Sequence, residues 1–176
     1  HGSFSMRGFI PDQTSVVLER LEQAGAVIFA KTAVPEFCYT GITESPINGR
    51  TCNPWDLART PGGSSGGAGA AVAAGIGPIS MGGDGGGSIR IPSAFCGIVG
   101  FKPTFGAVAR EPSADAWKTL VAVGPMARTV ADVRLVMPYI TGADPRDLYS
   151  IDIPLIGQPA PDPRGRAWPS CCRPAR

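Results

Sequence analysis

The sequence predicts an α/β fold built on a mixed β-sheet, and three stretches carry that expectation. Val17, Leu18, Leu21 and Ala24 recur at helical spacing, and the short apolar run Ala26-Val27-Ile28-Phe29-Ala30 that follows suits a strand buried on both faces. Gly66 to Gly75 is dense in small residues and reads as a helix able to pack close to a neighbouring backbone, with Pro78 to Met81 after it as a second buried strand. Pro125 to Arg128 reads as a further strand or turn ahead of a helix reaching Ile140.

Each element has a local reason. Asp12 and Thr14 offer side-chain oxygens to the orphan N–H groups of the first helix, and Gly25 ends it. Lys31 falls just past the first strand. Between Glu36 and Arg59, Gly41, Pro46, Asn48-Gly49 and Asn53-Pro54 mark a loop-rich excursion. Thr129 is placed to cap the last helix. From Pro159 the composition changes: Pro159, Pro161, Pro163, Pro169 and Pro174 interleave with Arg164, Arg166, Arg173 and Arg176, a pattern that forms neither helix nor central strand. The expected organisation is one partial domain over residues 1–158, then a Pro/Arg-rich tail over residues 159–176 that is disordered and unrelated in origin to the domain.

Composition narrows the function classes. With 176 residues and 43% hydrophobic content, the chain can bury a core. A formal net charge of +2 gives no nucleic-acid footprint. No apolar run reaches transmembrane length, and His1-Gly2-Ser3-Phe4 has no signal-peptide pattern. The five cysteines have no metal-ligand spacing, and their odd number argues against a complete disulfide framework. The expectation is a reduced, cytoplasmic protein with no cofactor, no metal, no membrane and no nucleic-acid partner, and a homo-oligomer as a complete enzyme.

Twenty-four glycines cluster instead of repeating. Ser64 lies in Gly62-Gly63-Ser64-Ser65-Gly66-Gly67, and Ser88 ends Asp84-Gly85-Gly86-Gly87-Ser88. Two glycine turns, each with a hydroxyl, suit a site where backbone N–H groups converge on a developing anion. Ser88 also follows a strand, and ligand sites of open α/β sheets lie at strand ends. Ser64 alone reads as a turn residue, and Ser88 alone as a helix cap before Ile89.

The motifs together say more. Gly-Gly-Ser-Ser-Gly-Gly, Asp-Gly-Gly-Gly-Ser-Ile-Arg-Ile-Pro, Phe95-Cys96-Gly97 and Gly100-Phe101-Lys102-Pro103-Thr104 occur in that order. This stretch resembles the signature of the amidase signature family of amide hydrolases. The resemblance implies a mixed sheet covered by helices on both sides, and a Ser-Ser-Lys relay acting on a small amide substrate. By match of motif, Ser88 is the nucleophile and Ser64 the bridging serine, held by a cis peptide. Gly85, Gly86, Gly87 and Ser88 supply the oxyanion hole. Ser65 supports the turn, and Asp84 and Arg90 brace the nucleophile loop by charge-assisted hydrogen bonds.

The residues themselves exclude some chemistry. The one histidine is His1, so no Ser-His-Asp triad is expected, and the Gly-x-Ser-x-Gly match at Gly62 to Gly66 lacks the downstream histidine that an α/β-hydrolase needs. Cys96, isolated among apolar neighbours, suits packing better than nucleophilic attack. Neither phosphate-binding glycine motif is present, which disfavours a nucleotide-binding module. The lysines are Lys31, Lys102 and Lys118. The resemblance assigns the catalytic lysine to an earlier segment ending in Lys-Asp, and places Lys31 in a different, downstream one. The expected protein is therefore the central part of an amidase releasing acid and ammonia or amine, inactive alone. Two alternatives stay open: the amidase subunit of a tRNA-dependent amidotransferase, with partner subunits and glutamine as ammonia donor, and a non-functional remnant. Ala33-Val34-Pro35-Glu36-Phe37 resembles the general amidases more than the amidotransferase type.

Overall fold

A computed structural model of the chain describes residues 1–110, 117 and 119–153. The expected Pro/Arg-rich tail and Lys118 lie outside the described residues. The centre is a three-stranded sheet in the order β3-β5-β4, with β3 at Ile79–Asp84, β4 at Val99–Gly100 and β5 at Ala122–Ala127. Both pairings are antiparallel, and the β3/β5 register runs from Ile79 opposite Ala127 to Asp84 opposite Ala122.

Side-chain alternation along the strands sends successive residues to opposite faces. On one face Ile79, Met81, Val99, Val123 and Ala127 meet α1 (Val16–Gln23) and α4 (Val130–Ile140) through Val17, Leu21, Val133, Val136, Met137 and Ile140. On the other, Met126 meets Ala68 of α2 (Gly66–Ala73) and Ile89, which precedes α3 (Arg90–Cys96). Helices thus cover both sides of the sheet. Met126, Ala127, Ile89 and Ile140 are wholly buried. A large apolar side chain so placed contributes about 1.5–3 kcal/mol.

Local chemistry sets the boundaries. The first helix is capped by Ser15, whose hydroxyl accepts the Leu18 N–H at 3.4 Å, and not by Asp12 or Thr14. Gly25 follows with φ +86°, a conformation that glycine adopts without cost. Thr129 caps α4 by accepting the Asp132 N–H at 3.1 Å. At the far end Arg20 donates to the carbonyls of Ile140, Thr141, Gly142 and Ala143, tying α1 to the last turn of α4.

One expected strand is not formed. Residues 26–30 have no regular structure, and Val27 and Phe29 are 81% and 61% exposed. A strand buried on both faces needs partners for its ladder and cover above and below, and no described strand lies beside this run. The next expected strand forms but is longer: β3 runs on to Asp84 and is only half-buried for most of its length. The excursion expected over residues 36–59 holds the two-residue strands β1 (Glu44–Ser45) and β2 (Gly49–Arg50), paired antiparallel.

Candidate active site

Both glycine clusters become turns that end on helices. β3 delivers Asp84, residues 85–89 turn back, and α3 begins at Arg90. The other turn, residues 61–65, leads into α2. A direct backbone bond joins them: the Ser65 N–H donates to the Ser88 carbonyl at 3.2 Å. Glycine at position 82 lets the second turn lie against the sheet, since a Cβ there would come within 2.8 Å of the Ser65 hydroxyl oxygen. Ser64 and Ser65 are buried at 4% and 7% exposure, Ser88 is half-buried, and Gly85 and Gly86 are exposed. The Gly63–Ser64 peptide is cis.

Asp84 organises the Ser88 turn. It is wholly buried, and its Oδ1 accepts the Gly87 N–H at 2.7 Å while Oδ2 accepts the Ile89 and Arg90 N–H groups at 3.2 Å each. Arg90 adds a two-pronged contact, Nε to Oδ2 and Nη2 to Oδ1, both 2.9 Å. Burial pushes the Asp84 carboxyl up, but the Arg90 guanidinium and the three backbone N–H donors outweigh it and hold the group at about 2. The carboxylate therefore stays charged and caps α3 from a distance. Ser88 does not perform that capping.

The same contacts narrow the expected oxyanion hole. The Gly87 N–H is committed to Asp84, so it is not free for a substrate oxygen. Gly87 has a different duty: its φ is +123°, and a Cβ there would lie 2.7 Å from the Ile91 side chain. The remaining donors of the expected set are the N–H groups of Gly85, Gly86 and Ser88.

The Ser64 turn is held without charge. The segment at residues 33–43 closes over it, with the Ala33 carbonyl accepting the Gly67 N–H at 3.2 Å and a Cβ at Gly63 excluded by the Gly41-Ile42 backbone at 2.8 Å. Thr43 completes the closure: its Oγ1 donates to the Gly62 carbonyl at 2.8 Å and accepts the Gly66 N–H at 3.1 Å. Asn53 and Trp55, from the same excursion, donate to the Phe95 and Cys96 carbonyls at 2.8 and 2.7 Å and so finish the far end of α3. Sequence reasoning treats this excursion as connecting loop. The available signal is a tryptophan in a polar loop, whose indole N–H needs an acceptor.

Other candidates fall away. Cys96 is buried with its thiol pushed up by burial, and Sγ points at the Pro61 carbonyl at 3.6 Å. Such a thiol is protonated and poorly nucleophilic. Lys31 is exposed, and Lys102 donates to the Pro103 carbonyl at 3.1 Å. Among the described residues, no helix is long and apolar enough to cross a membrane.

Two serine-bearing turns are joined on one side of a helix-covered sheet, with Gly85 and Gly86 of one of them exposed, an arrangement that suits acyl transfer at a serine. The chain belongs to the Amidase family, whose profile matches residues 1–167 and so runs past the composition change at Pro159. It is 52% identical over 147 residues to a glutamyl-tRNA(Gln) amidotransferase subunit of Methanococcoides burtonii, covering 84% of this chain and 31% of that relative. Among solved structures, a peptide amidase bound to the inhibitor chymostatin superposes with TM-score 0.82 at 37% identity, over 92% of this chain and 34% of its own. The corresponding amidotransferase subunit from Thermotoga maritima superposes with TM-score 0.77 at 35% identity, over 86% and 34%. The chain spans about a third of the length of the curated relatives it matches. The name of those relatives includes a tRNA, so the expectation of no nucleic-acid partner, drawn from net charge alone, has no support.

Proposed function

We propose that this chain carries the serine centre of an amide-hydrolysing subunit of a tRNA-dependent amidotransferase, releasing ammonia from glutamine for use by partner subunits. The observation that carries the serine centre is the bond from the Ser65 N–H to the Ser88 carbonyl, which locks the two serine turns side by side. The subunit reading rests on the curated relatives, at about half identity.

Ser88 Oγ attacks the amide carbonyl and gives its proton to Ser64, the bridging hydroxyl. The carbonyl oxygen, now anionic, is held by the N–H groups of Gly85, Gly86 and Ser88. One such donor contributes about 10²–10³ in rate. Collapse of the adduct, with proton return to nitrogen, releases ammonia and leaves an acyl ester on Ser88. Water then attacks the ester and frees the acid. The relay needs a neutral amine beyond Ser64. Lys31 is exposed and Lys102 is turned to the Pro103 carbonyl, so neither fits that place. The resemblance assigns it to a lysine in a segment ahead of Lys31.

A free-standing amidase is the second reading. Ala33-Val34-Pro35-Glu36-Phe37 favours it, because that stretch resembles the general amidases. Ammonia release from glutamine, measured beside a panel of aliphatic and aromatic amides on a chain extended upstream through the Lys-Asp segment and downstream to family length, separates the two. Preference for glutamine is the expected result; preference for simple amides overturns the subunit reading in favour of the second.

A further inference from the structure

Helix α2 starts at Gly66 directly after two serines, yet neither is spent on capping it. Its N-cap residue is Ser65, and the Ser65 side chain makes no capping hydrogen bond. A serine at a helix start ordinarily gives its oxygen to the N–H of the second or third helical residue. Here the first N–H groups are taken from outside the helix. Gly66 N–H goes to Thr43 Oγ1 at 3.1 Å, and Gly67 N–H goes to the Ala33 carbonyl at 3.2 Å.

Thr43 is built into that place. It is 2% exposed, and its own carbonyl accepts the Thr51 N–H at 2.9 Å, which anchors it to the excursion. A hydroxyl has one proton and two lone pairs. The proton goes to the Gly62 carbonyl at 2.8 Å, with the Ser64 carbonyl also near at 3.4 Å, and a lone pair takes Gly66 N–H. The same oxygen therefore touches the turn before, at and after Ser64. Position 66 is shaped around it, because a Cβ there would fall 2.2 Å from Thr43 Oγ1. Valine has the shape of threonine without the hydroxyl, and serine has the hydroxyl without the methyl.

We propose that Thr43 is a positioning residue for the reaction: its hydroxyl takes the first N–H of α2, beside the Ala33 carbonyl that takes the second, and fixes the peptides on either side of Ser64, which holds the Ser64 hydroxyl in place for Ser88. The proposal rests on the reading of Ser88 and Ser64 given above. It is distinct from a packing role, because the hydroxyl and not the side-chain volume carries it.

The test uses a chain extended upstream through the Lys-Asp segment and compares it with its Thr43→Val and Thr43→Ser variants. Two quantities are read: the rate at which a fluorophosphonate labels Ser88, followed by peptide mass spectrometry, and hydrogen exchange at the Gly66 amide. Thr43→Val is expected to label about 10²-fold more slowly, as for a misplaced reacting group, and to lose protection at Gly66. Thr43→Ser is expected to restore both. Wild-type labelling in Thr43→Val overturns the proposal, and so does a Thr43→Ser variant as impaired as Thr43→Val. Should Thr43→Val not fold, Ser65→Ala decides through exchange alone. Unchanged protection at Gly66 and Gly67 supports capping by the outer segment, and lost protection overturns it. If the unaltered chain is labelled elsewhere than Ser88, the reaction reading falls, while the exchange arm still decides whether Thr43 caps α2.

Discussion

The two serine turns solve one problem with different chemistry. Each precedes a helix whose first N–H groups need acceptors, and in each the acceptor comes from elsewhere. At Ser88 it is the buried carboxylate of Asp84, taking three N–H groups and the Arg90 guanidinium. At Ser64 it is a neutral hydroxyl, Thr43, with the Ala33 carbonyl beside it. In the proposed reaction the charged brace holds the turn whose amides would face the forming anion, and the neutral one holds the turn that would pass a proton. A full negative charge against Ser64 would favour its protonated neighbours and oppose proton release, so a neutral clasp suits that position.

The largest expected effect tests the division of labour between the turns. In a chain extended upstream through the Lys-Asp segment, Ser64→Ala should slow fluorophosphonate labelling of Ser88 by about 10²–10⁴-fold, the usual contribution of acid-base assistance. The melting temperature should barely move, because the turn is held by its backbone groups and by Thr43, not by the Ser64 hydroxyl. A large loss of stability with unchanged labelling of the folded fraction would make Ser64 a turn residue and nothing more.

Asp84→Asn is next. It keeps the shape but weakens the acceptor for the Gly87, Ile89 and Arg90 N–H groups, and hydrogen bonds to a charged partner contribute about 1.5–3 kcal/mol. Denaturant unfolding should show a loss of about that size. Arg90→Ala should cost less, since its side chain is 55% exposed and water screens it. An Arg90→Ala loss equal to that of Asp84→Asn would shift the brace from the backbone contacts to the ion pair.

The smallest effect is on pH dependence. The Asp84 carboxyl is held at about 2 in the folded chain, below its unfolded value of about 3.9. Its contribution is therefore complete above about pH 4 and is lost as pH falls through about 2. Acid unfolding of the Asp84→Asn chain should lack that part of the slope. Thr43→Val should keep it, because the neutral clasp contains no titrating group. Equal slopes in the unaltered chain and Asp84→Asn would contradict the charged brace.

What the sequence discloses about this molecule depends on the range of the interaction. Helix α4 was legible because its cap, Thr129, lies directly before it, and so was the end of α1 at Gly25. The capping residue of α1 is Ser15, while Asp12 and Thr14 are equally plausible in composition and wrong in position. The run at residues 26–30 has the composition of a buried strand, but a strand is completed by its neighbours, which composition does not contain. The serines were legible through their glycine frames. Thr43 was not, because its partners lie 19 to 23 positions away and a threonine in a turn-rich stretch carries no signal of its own. The commitment of the Gly87 N–H to Asp84 was also invisible, since a glycine triplet does not say which of its amides is already used.

The central claim is that Ser88, held beside Ser64 by the joined turns, is the nucleophile. The most direct measurement is reaction of a chain extended upstream through the Lys-Asp segment with a fluorophosphonate, followed by digestion and mass spectrometry of the modified peptide. The account predicts a single adduct on Ser88, absent from Ser88→Ala. An adduct on Ser64, Ser65 or Cys96, or one that persists in Ser88→Ala, would contradict it.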